Sequence, residues 1–197
     1  MPTTATTQPM PEPHDQMTIR EFLAFTKSRP DEERWELIEG VPVLNASPVN
    51  VHQIIIINIS TRLMIHKEKT SALWVPSLGI GTLVPISPRS LPQPDLFVQE
   101  GPATWEHTTG DALVIFEVLS RSNTKADRDW RRRVYASVPN CQHYVTVSMK
   151  SPEVTAFDRA TDWKPRPLKG LAASLYLTAL GLAIPLADIY RYTPLGA

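Results

Sequence analysis

Residues 112–120 read ALVIFEVLS, and this stretch decides the fold. Such a short, mostly apolar run predicts a strand that is buried on both faces, as in the middle of a sheet covered by helices. Glu117 lies inside the run, where an ionised carboxylate loses its hydration at a large cost in free energy. The sequence therefore predicts a central strand that carries a carboxylate whose charge another group must compensate.

A second acid stands before a neighbouring candidate strand. Pro94 and Asp95 lead into Leu96-Phe97-Val98, so Asp95 lies at the entrance of a short run of residues that favour strands. If the two strands pair, Asp95 and Glu117 converge on one point. Hard divalent cations prefer one or two carboxylates together with water and phosphate oxygens, so a site for a divalent cation is one interpretation of the pair.

The buried glutamate also has a plainer interpretation. Arg131, Arg132 and Arg133 follow on the next helical segment, and a buried glutamate is commonly compensated by an arginine in a structural ion pair. The same run of basic residues is either a solvated helix face or a patch that binds phosphate. The residues alone leave these alternatives open.

The segment after the central strand predicts a helix that faces the two acids. Asn123 or Thr124 is able to cap its first turn. Asp127, Arg131 and Tyr135 follow at intervals of four residues, and this spacing places them on one face of a helix. We expect that face to look toward Asp95 and Glu117.

Two further candidate residues lie upstream. Residues 35–46 predict two short strands that turn at Gly40, and residues 50–69 carry the longest helical pattern. Glu36, on the first strand, would point away from the core of the two strands, and a solvent-facing acid is one interpretation of it. His52 falls in the first turn of the long helix, where the helix N-terminus disfavours the imidazolium form. The predicted core positions of the two strands are Trp35, Leu37, Val41, Val43 and Leu44.

Composition limits the function classes. The chain has 197 residues with 20 basic and 20 acidic side chains, so no global field draws it onto nucleic acid, and any contact with DNA must be local. A single cysteine, Cys141, excludes an internal disulfide and fits a reducing compartment. Without a secretory pattern or an apolar run of membrane length, we expect a cytoplasmic protein that makes no membrane contact.

The chain predicts a short tail and one domain. Residues 1–16 are rich in Thr, Pro and Gln and should be disordered, whereas residues 17–197 predict a single α/β (α+β) domain with a central mixed β-sheet flanked by helices. Residues 143–147 and 153–157 predict a hairpin in that sheet. The apolar final third either completes the core or forms a dimer contact, so a homodimer is expected.

The order of these parts resembles the Uma-type restriction endonuclease family of the PD-(D/E)XK nuclease superfamily. The resemblance covers roughly residues 17 to 190, and the segments that carry it are WELIEG at 35–40, His52, Pro94-Asp95, Glu117 with Val-Leu-Ser after it, Asp127, Arg131, Tyr135 and HYVTV at 143–147.

The resemblance implies a restriction-endonuclease-like core and metal-dependent hydrolysis of phosphodiester bonds, most naturally in DNA. It implies that Asp95, Glu117 and the backbone carbonyl of Val118 hold Mg²⁺ or Mn²⁺. It also implies that Glu36 is a third carboxylate of the site and that His52 lies close by.

One position departs from the superfamily pattern. A lysine usually stands two residues after the glutamate, and that residue here is Leu119. In the family this lysine lies on the following helix, in the slot that Arg131 occupies. Arginine keeps the positive charge but stays protonated and cannot act as a base. Two functions therefore remain open: an active endonuclease, or a catalytically weakened or inactive nuclease-fold protein that binds nucleic acid or a protein partner as a homodimer.

Overall fold

A computed structural model describes residues 16–30, 32–120 and 123–196. The predicted tail lies outside these residues except for Gln16, which accepts hydrogen bonds from Arg89. In chain order the elements are α1 (Ile19–Thr26), β1 (Arg34–Ile38), β2 (Val41–Asn45), α2 (Asn50–Thr70), β3 (Trp74–Ser77), β4 (Gly81–Thr82), β5 (Leu96–Glu100), β6 (Thr108–Thr109), β7 (Val114–Leu119), α3 (Lys125–Ala136), β8 (His143–Ser148), β9 (Glu153–Asp158), β10 (Pro165–Lys169), β11 (Ser174–Leu177), β12 (Leu182–Pro185) and α4 (Leu186–Ile189), with 3₁₀ turns at Arg159–Thr161 and Thr178–Leu180.

The centre is a six-stranded sheet with the strand order β10-β9-β8-β7-β5-β3. β7 and β8 are parallel and joined through α3, whereas β5 pairs antiparallel with β7 and β9 pairs antiparallel with β8. The sheet is therefore mixed, as the sequence predicts. β7, the predicted central strand, has its residues from Val114 to Phe116 fully buried.

Each face of the sheet carries its own apolar cluster. On one face, Phe116 and Val145 pack with α2 and with the final β11-β12 hairpin and α4. On the other face, Ile115 and Tyr144 pack under α3 through Val134 and Tyr135. The layers are thus helix, sheet and helix, which confirms the predicted central sheet flanked by helices.

The isoleucine-rich segment forms a helix although β-branched side chains favour strands. The helical pattern predicted over residues 50–69 is confirmed as α2, whose residues Ile55, Ile59 and Leu63 are fully buried against the sheet. Burial of this apolar stripe outweighs the small difference in intrinsic propensity. No helix within the described residues is long and apolar enough to cross a membrane.

The hairpin of β1 and β2 is confirmed, but most of its predicted core is wrong. Leu37 is fully buried, whereas Val41, Val43 and Leu44 are 42%, 39% and 50% exposed. β1 and β2 form a separate two-stranded sheet, so only one side of the hairpin has a neighbour to pack against. The alternation of a strand does not reveal which side is covered.

The apolar final third completes the core. Leu175, Ile184 and Ile189 are fully buried in the cluster that also contains residues of α2 and β7. The sequence left open a core or a dimer contact for this segment, and these side chains belong to the core. The expected homodimer stays a prediction.

Candidate active site

The two predicted acids meet on neighbouring strands. β5 and β7 are antiparallel, with Leu96 opposite Phe116. Continuing this register places Asp95 opposite Glu117, and residues that face each other across antiparallel strands project from the same side of the sheet. The backbone N–H of Val118 donates to Oδ2 of Asp95 at 2.8 Å, which fixes the first carboxylate beside the second.

Glu117 lies in an apolar setting with two donors. The Tyr135 hydroxyl donates to Oε1 of Glu117 at 2.8 Å, and Nη1 of Arg131 donates to the same oxygen at 3.0 Å. Burial raises the pKa of Glu117 to about 8, while the Arg131 cation opposes this shift and the Asp95 carboxylate adds to it. Burial therefore disfavours the charged form of Glu117, and a cation bound beside it would favour that form.

Arg131 is the centre of a buried ionic network. Its Nη2 and Nη1 donate to Oε2 and Oε1 of Glu36 at 2.6 and 3.1 Å, and its Nε donates to Asp127 at 3.4 Å. Burial disfavours the charge of this guanidinium, but the Glu117 and Glu36 carboxylates outweigh burial and raise its pKa well above the ordinary value. The structural ion pair considered for Glu117 is therefore present.

Glu36 is not a solvent-facing acid, so that interpretation is wrong. It is 1% exposed, and besides Arg131 it accepts a hydrogen bond from the backbone N–H of Gln93 at 2.6 Å. The docking of β1 against the segment before β5 turns this carboxylate inward. The role of a third site carboxylate, which the family resemblance implies for Glu36, stays a prediction.

His52 contacts the first acid. Its Nε2 lies 3.2 Å from Oδ2 of Asp95. An ionised carboxylate only accepts hydrogen bonds, so this contact requires a proton on Nε2. Nδ1 is buried and has no hydrogen-bond partner within the described segments. His52 thus orients Asp95 from the first turn of α2, and among the described residues its Nδ1 has no partner.

All the predicted site residues line one open cleft of about 800 Å³, which we call the carboxylate cleft. Within the described part of the chain, Oδ1 of Asp95 and Oε2 of Glu117 accept no protein hydrogen bond, so one oxygen of each acid remains available to a ligand. The predicted residues on its wall are Glu36, His52, Asp95, Glu117, Val118 and Arg131.

Sequence reasoning missed three residues of this cleft. Arg34 and Lys150 add positive charge to its wall, and Gln93 supplies the N–H that holds Glu36. Arg34 was available to prediction, because it stands two residues from Glu36 on one strand and so projects from the same face. Lys150 was not, because its place depends on where the turn after β8 folds.

The donor set fits a hard divalent cation. Across the described segments, no group of three or more His, Cys, Asp or Glu side chains is arranged to hold a metal ion. Magnesium does not require such a group, since it is commonly bound through one or two carboxylates with water and substrate phosphates. Asp95 and Glu117 supply two such oxygens at the edge of the open cleft.

The fold and the cleft together define a class of protein. An acid at the entrance of β5 and an acid inside β7, open to one cleft beside a helix that carries a cation, are the arrangement that the family resemblance implied for a nuclease. The family model described as "Putative restriction endonuclease" (Uma2) matches residues 19–187. The chain belongs to this family.

A solved structure supports the fold. The crystal structure of a protein from Anabaena variabilis ATCC 29413, described as a putative nuclease of DUF820, superposes with a TM-score of 0.72 at 14% sequence identity. The match covers 88% of this chain and 97% of that one. At this identity the likeness shows a shared fold. Among curated proteins, none has significant sequence similarity to this chain.

Proposed function

We propose that this protein is a Mg²⁺- or Mn²⁺-dependent endonuclease that hydrolyses phosphodiester bonds in DNA. The observation that carries the proposal is the position of Asp95 opposite Glu117, each with one carboxyl oxygen unused by the described protein and facing a common cleft. Membership of a family described as restriction endonucleases supports the same reaction.

Asp95, Glu117 and the backbone carbonyl of Val118 would hold the ion. When bound, the ion would lower the pKa of a water ligand and neutralise charge on the phosphate. The chain prepares this site through hydrogen bonds to the ligands: the Val118 N–H and His52 orient Asp95, and the Tyr135 hydroxyl orients Glu117. Such supporting contacts keep ligands in position and commonly affect metal affinity.

Arg131 would act as a fixed positive charge beside the phosphate rather than as a base. Its guanidinium is permanently protonated, and its contacts with Glu36 and Glu117 hold it in one place. A charge that is already oriented loses little free energy to reorganisation when negative charge develops in the reaction. Glu36, held by Arg131 and Gln93, would position the attacking water.

Cleavage of supercoiled plasmid DNA by the purified protein tests the proposal. We expect nicking or linearisation in MgCl₂ or MnCl₂ and none in EDTA. Glu117→Gln should remove at least about 10²-fold of the activity, since it withdraws one charged ligand from the reacting centre. Glu100→Gln is the matched control, because Glu100 lies exposed at the far end of β5.

Equal and metal-independent cleavage by wild type and Glu117→Gln would reject the assignment. Circular dichroism should show the same secondary structure in both proteins. Glutamine keeps the oxygen that accepts from Tyr135 and Arg131, so the fold should survive the substitution.

A second candidate function is a weakened nuclease that binds nucleic acid or a protein partner as a homodimer. One observation favours it: both terminal nitrogens of Arg131 are already bound to carboxylates. Arg131→Lys distinguishes the candidates. A large gain in cleavage would mean that the natural protein is attenuated, whereas an active wild type that the change barely alters would mean that arginine suffices. Light scattering after size exclusion gives the mass that tests the homodimer.

A further inference from the structure

A second cleft lies beside α3. It has a volume of about 400 Å³ and is formed between α3 and the strands β8 and β9, and we call it the basic cleft. Three cations of α3 line it, at positions that share one side of the helix: Lys125, Arg128 and Arg132. None of them belongs to the carboxylate cleft, whose cation from the same helix is Arg131.

Contacts within the protein hold Arg128 and Arg132 in place. Nη1 of Arg128 donates to the carbonyl of Asn123 at 2.8 Å. The guanidinium of Arg132 lies over the ring of Phe157, 5.6 Å from its centroid. Because these contacts restrict both side chains, they present positive charge at little further cost in conformational entropy. Asp129 and Glu153 also line the cleft, so the cations exceed the acids by one.

A buried hydroxyl independently indicates a ligand. Tyr144 lines the basic cleft and is 1% exposed. Within the described residues its hydroxyl is buried without a hydrogen-bond partner, a state that costs free energy in the free protein. Burial raises the pKa of Tyr144 well above its ordinary value, so the hydroxyl keeps its proton and is available as a donor.

The two clefts are adjacent. Leu119, the last residue of β7, lines both of them. On the neighbouring parallel strand, Ser148 pairs with Leu119 and lines the basic cleft, whereas Met149 and Lys150 directly after it line the carboxylate cleft. One extended ligand is therefore able to pass from one cleft to the other across the ends of β7 and β8.

From this arrangement we infer that the basic cleft binds a backbone phosphate of the same nucleic-acid strand whose scissile phosphate occupies the carboxylate cleft. The choice of ligand rests on the proposed function, whereas the site itself rests on the charges and on the unpartnered hydroxyl. Arg128 and Arg132 neutralise the phosphate, and the Tyr144 hydroxyl donates to it. Contacts of this kind position the strand without reading its sequence.

The test compares two neighbouring arginines. Arg132 lines the basic cleft, whereas Arg133 is exposed, lies near Glu39 and does not line it. Binding of a fluorescein-labelled 20-base-pair DNA duplex is followed by anisotropy in EDTA over a range of salt concentrations. Arg132→Gln should make the slope of log affinity against log salt shallower by about 0.9 and weaken binding roughly five- to tenfold near 0.1 M salt. Arg133→Gln should leave the slope unchanged.

Tyr144→Phe gives a second, uncharged readout. It removes an unpartnered hydroxyl, so the urea midpoint should stay equal to wild type or rise, while duplex affinity falls severalfold with the salt slope unchanged. Equal salt slopes for Arg132→Gln and Arg133→Gln, or no duplex binding by wild type, would overturn the inference that the basic cleft binds a backbone phosphate. If the slopes differ as expected but wild type does not cut plasmid in MgCl₂ or MnCl₂, the nuclease proposal fails and the binding site stands.

Discussion

Two buried groups of titratable side chains lie at different places in the same sheet, and their contacts differ in kind. His143 on β8 donates or accepts at both ring nitrogens: Nδ1 lies 2.6 Å from Asp158, and Nε2 accepts from the backbone N–H of Ala179 at 3.1 Å. The second carboxyl oxygen of Asp158, Oδ2, accepts a hydrogen bond from Nε of Arg166 at 3.1 Å. Protein groups satisfy every polar atom of this histidine.

The carboxylate cleft is built differently. In Glu117 and in Asp95, one carboxyl oxygen accepts hydrogen bonds from the protein, and the other has no hydrogen-bond partner among the described residues. His52 likewise has an unpartnered buried nitrogen. A structural cluster is complete by itself, whereas a binding site leaves oriented polar atoms for a ligand. His143 and Asp158 thus hold the 3₁₀ turn Thr178–Leu180 against the sheet, whereas Asp95 and Glu117 are the pair that we assign to chemistry.

The largest effect on stability should follow removal of the central cation. Arg131→Ala leaves Glu36 and Glu117 buried without their partner, and we expect the free energy of unfolding to fall by about 3–5 kcal/mol. Arg166→Ala at the structural cluster is the matched change, and its half-exposed ion pair should contribute no more than about 1 kcal/mol. Urea unfolding measures both. Equal losses in the two variants would contradict the buried network.

Two histidine variants sharpen the comparison between stability and function. His143→Ala removes a fully hydrogen-bonded buried side chain, so we expect a loss of about 2–4 kcal/mol in unfolding free energy with unchanged cleavage per folded molecule. His52→Ala should cost less stability but lower metal affinity or cleavage about 10- to 100-fold, because His52 orients a metal ligand. Full activity of the His52→Ala protein would contradict the proposal that His52 orients Asp95 as a metal ligand.

The pH dependence of folding should expose Glu117. Its pKa is raised to about 8 in the folded protein from an ordinary value of 4.5, so the folded state binds the proton more tightly than the unfolded state. The stabilisation of the folded state by the proton on Glu117 is fully present below pH 4.5 and is lost as the pH rises to about 8. Over this range the free energy of unfolding falls by at most about 1.4 kcal/mol per pH unit.

Glu117→Gln should flatten this part of the stability curve. Urea midpoints of wild type and variant between pH 5 and 9 provide the measurement. If both proteins respond to pH in the same way, the proton does not reside on Glu117. The Glu100→Gln protein serves again as the control with an exposed acid removed.

Much of the site was readable from the sequence because it depends on short-range geometry. The four-residue spacing of Asp127, Arg131 and Tyr135 places them on one face of α3, as predicted, and Arg131 contacts both of the others. The convergence of Asp95 with Glu117 needs only the pairing of two consecutive strong strand signals. Both interpretations of Glu117 started from the same fact, which is the cost of burying its charge.

The rest depends on how distant segments dock. The contact between Glu36 and Arg131 joins residues 95 positions apart. The sequence of β1 does not show that the side of the strand carrying Glu36 packs against the rest of the protein. The same uncertainty made Val43 and Leu44 wrong core predictions. The pair of His143 and Asp158 was missed because the predicted hairpin stopped at residue 157, one position short of the residue that faces His143.

The most direct measurement is isothermal titration of wild type and Asp95→Asn with MgCl₂ and MnCl₂. The account predicts that wild type binds a divalent ion with release of protons, since ligands must be deprotonated, and that its affinity rises with pH toward the pKa of Glu117. Asp95→Asn should bind at least about tenfold more weakly. Equal binding by both proteins, or no binding by wild type even at pH 9, would contradict the claim that these two carboxylates form a metal site.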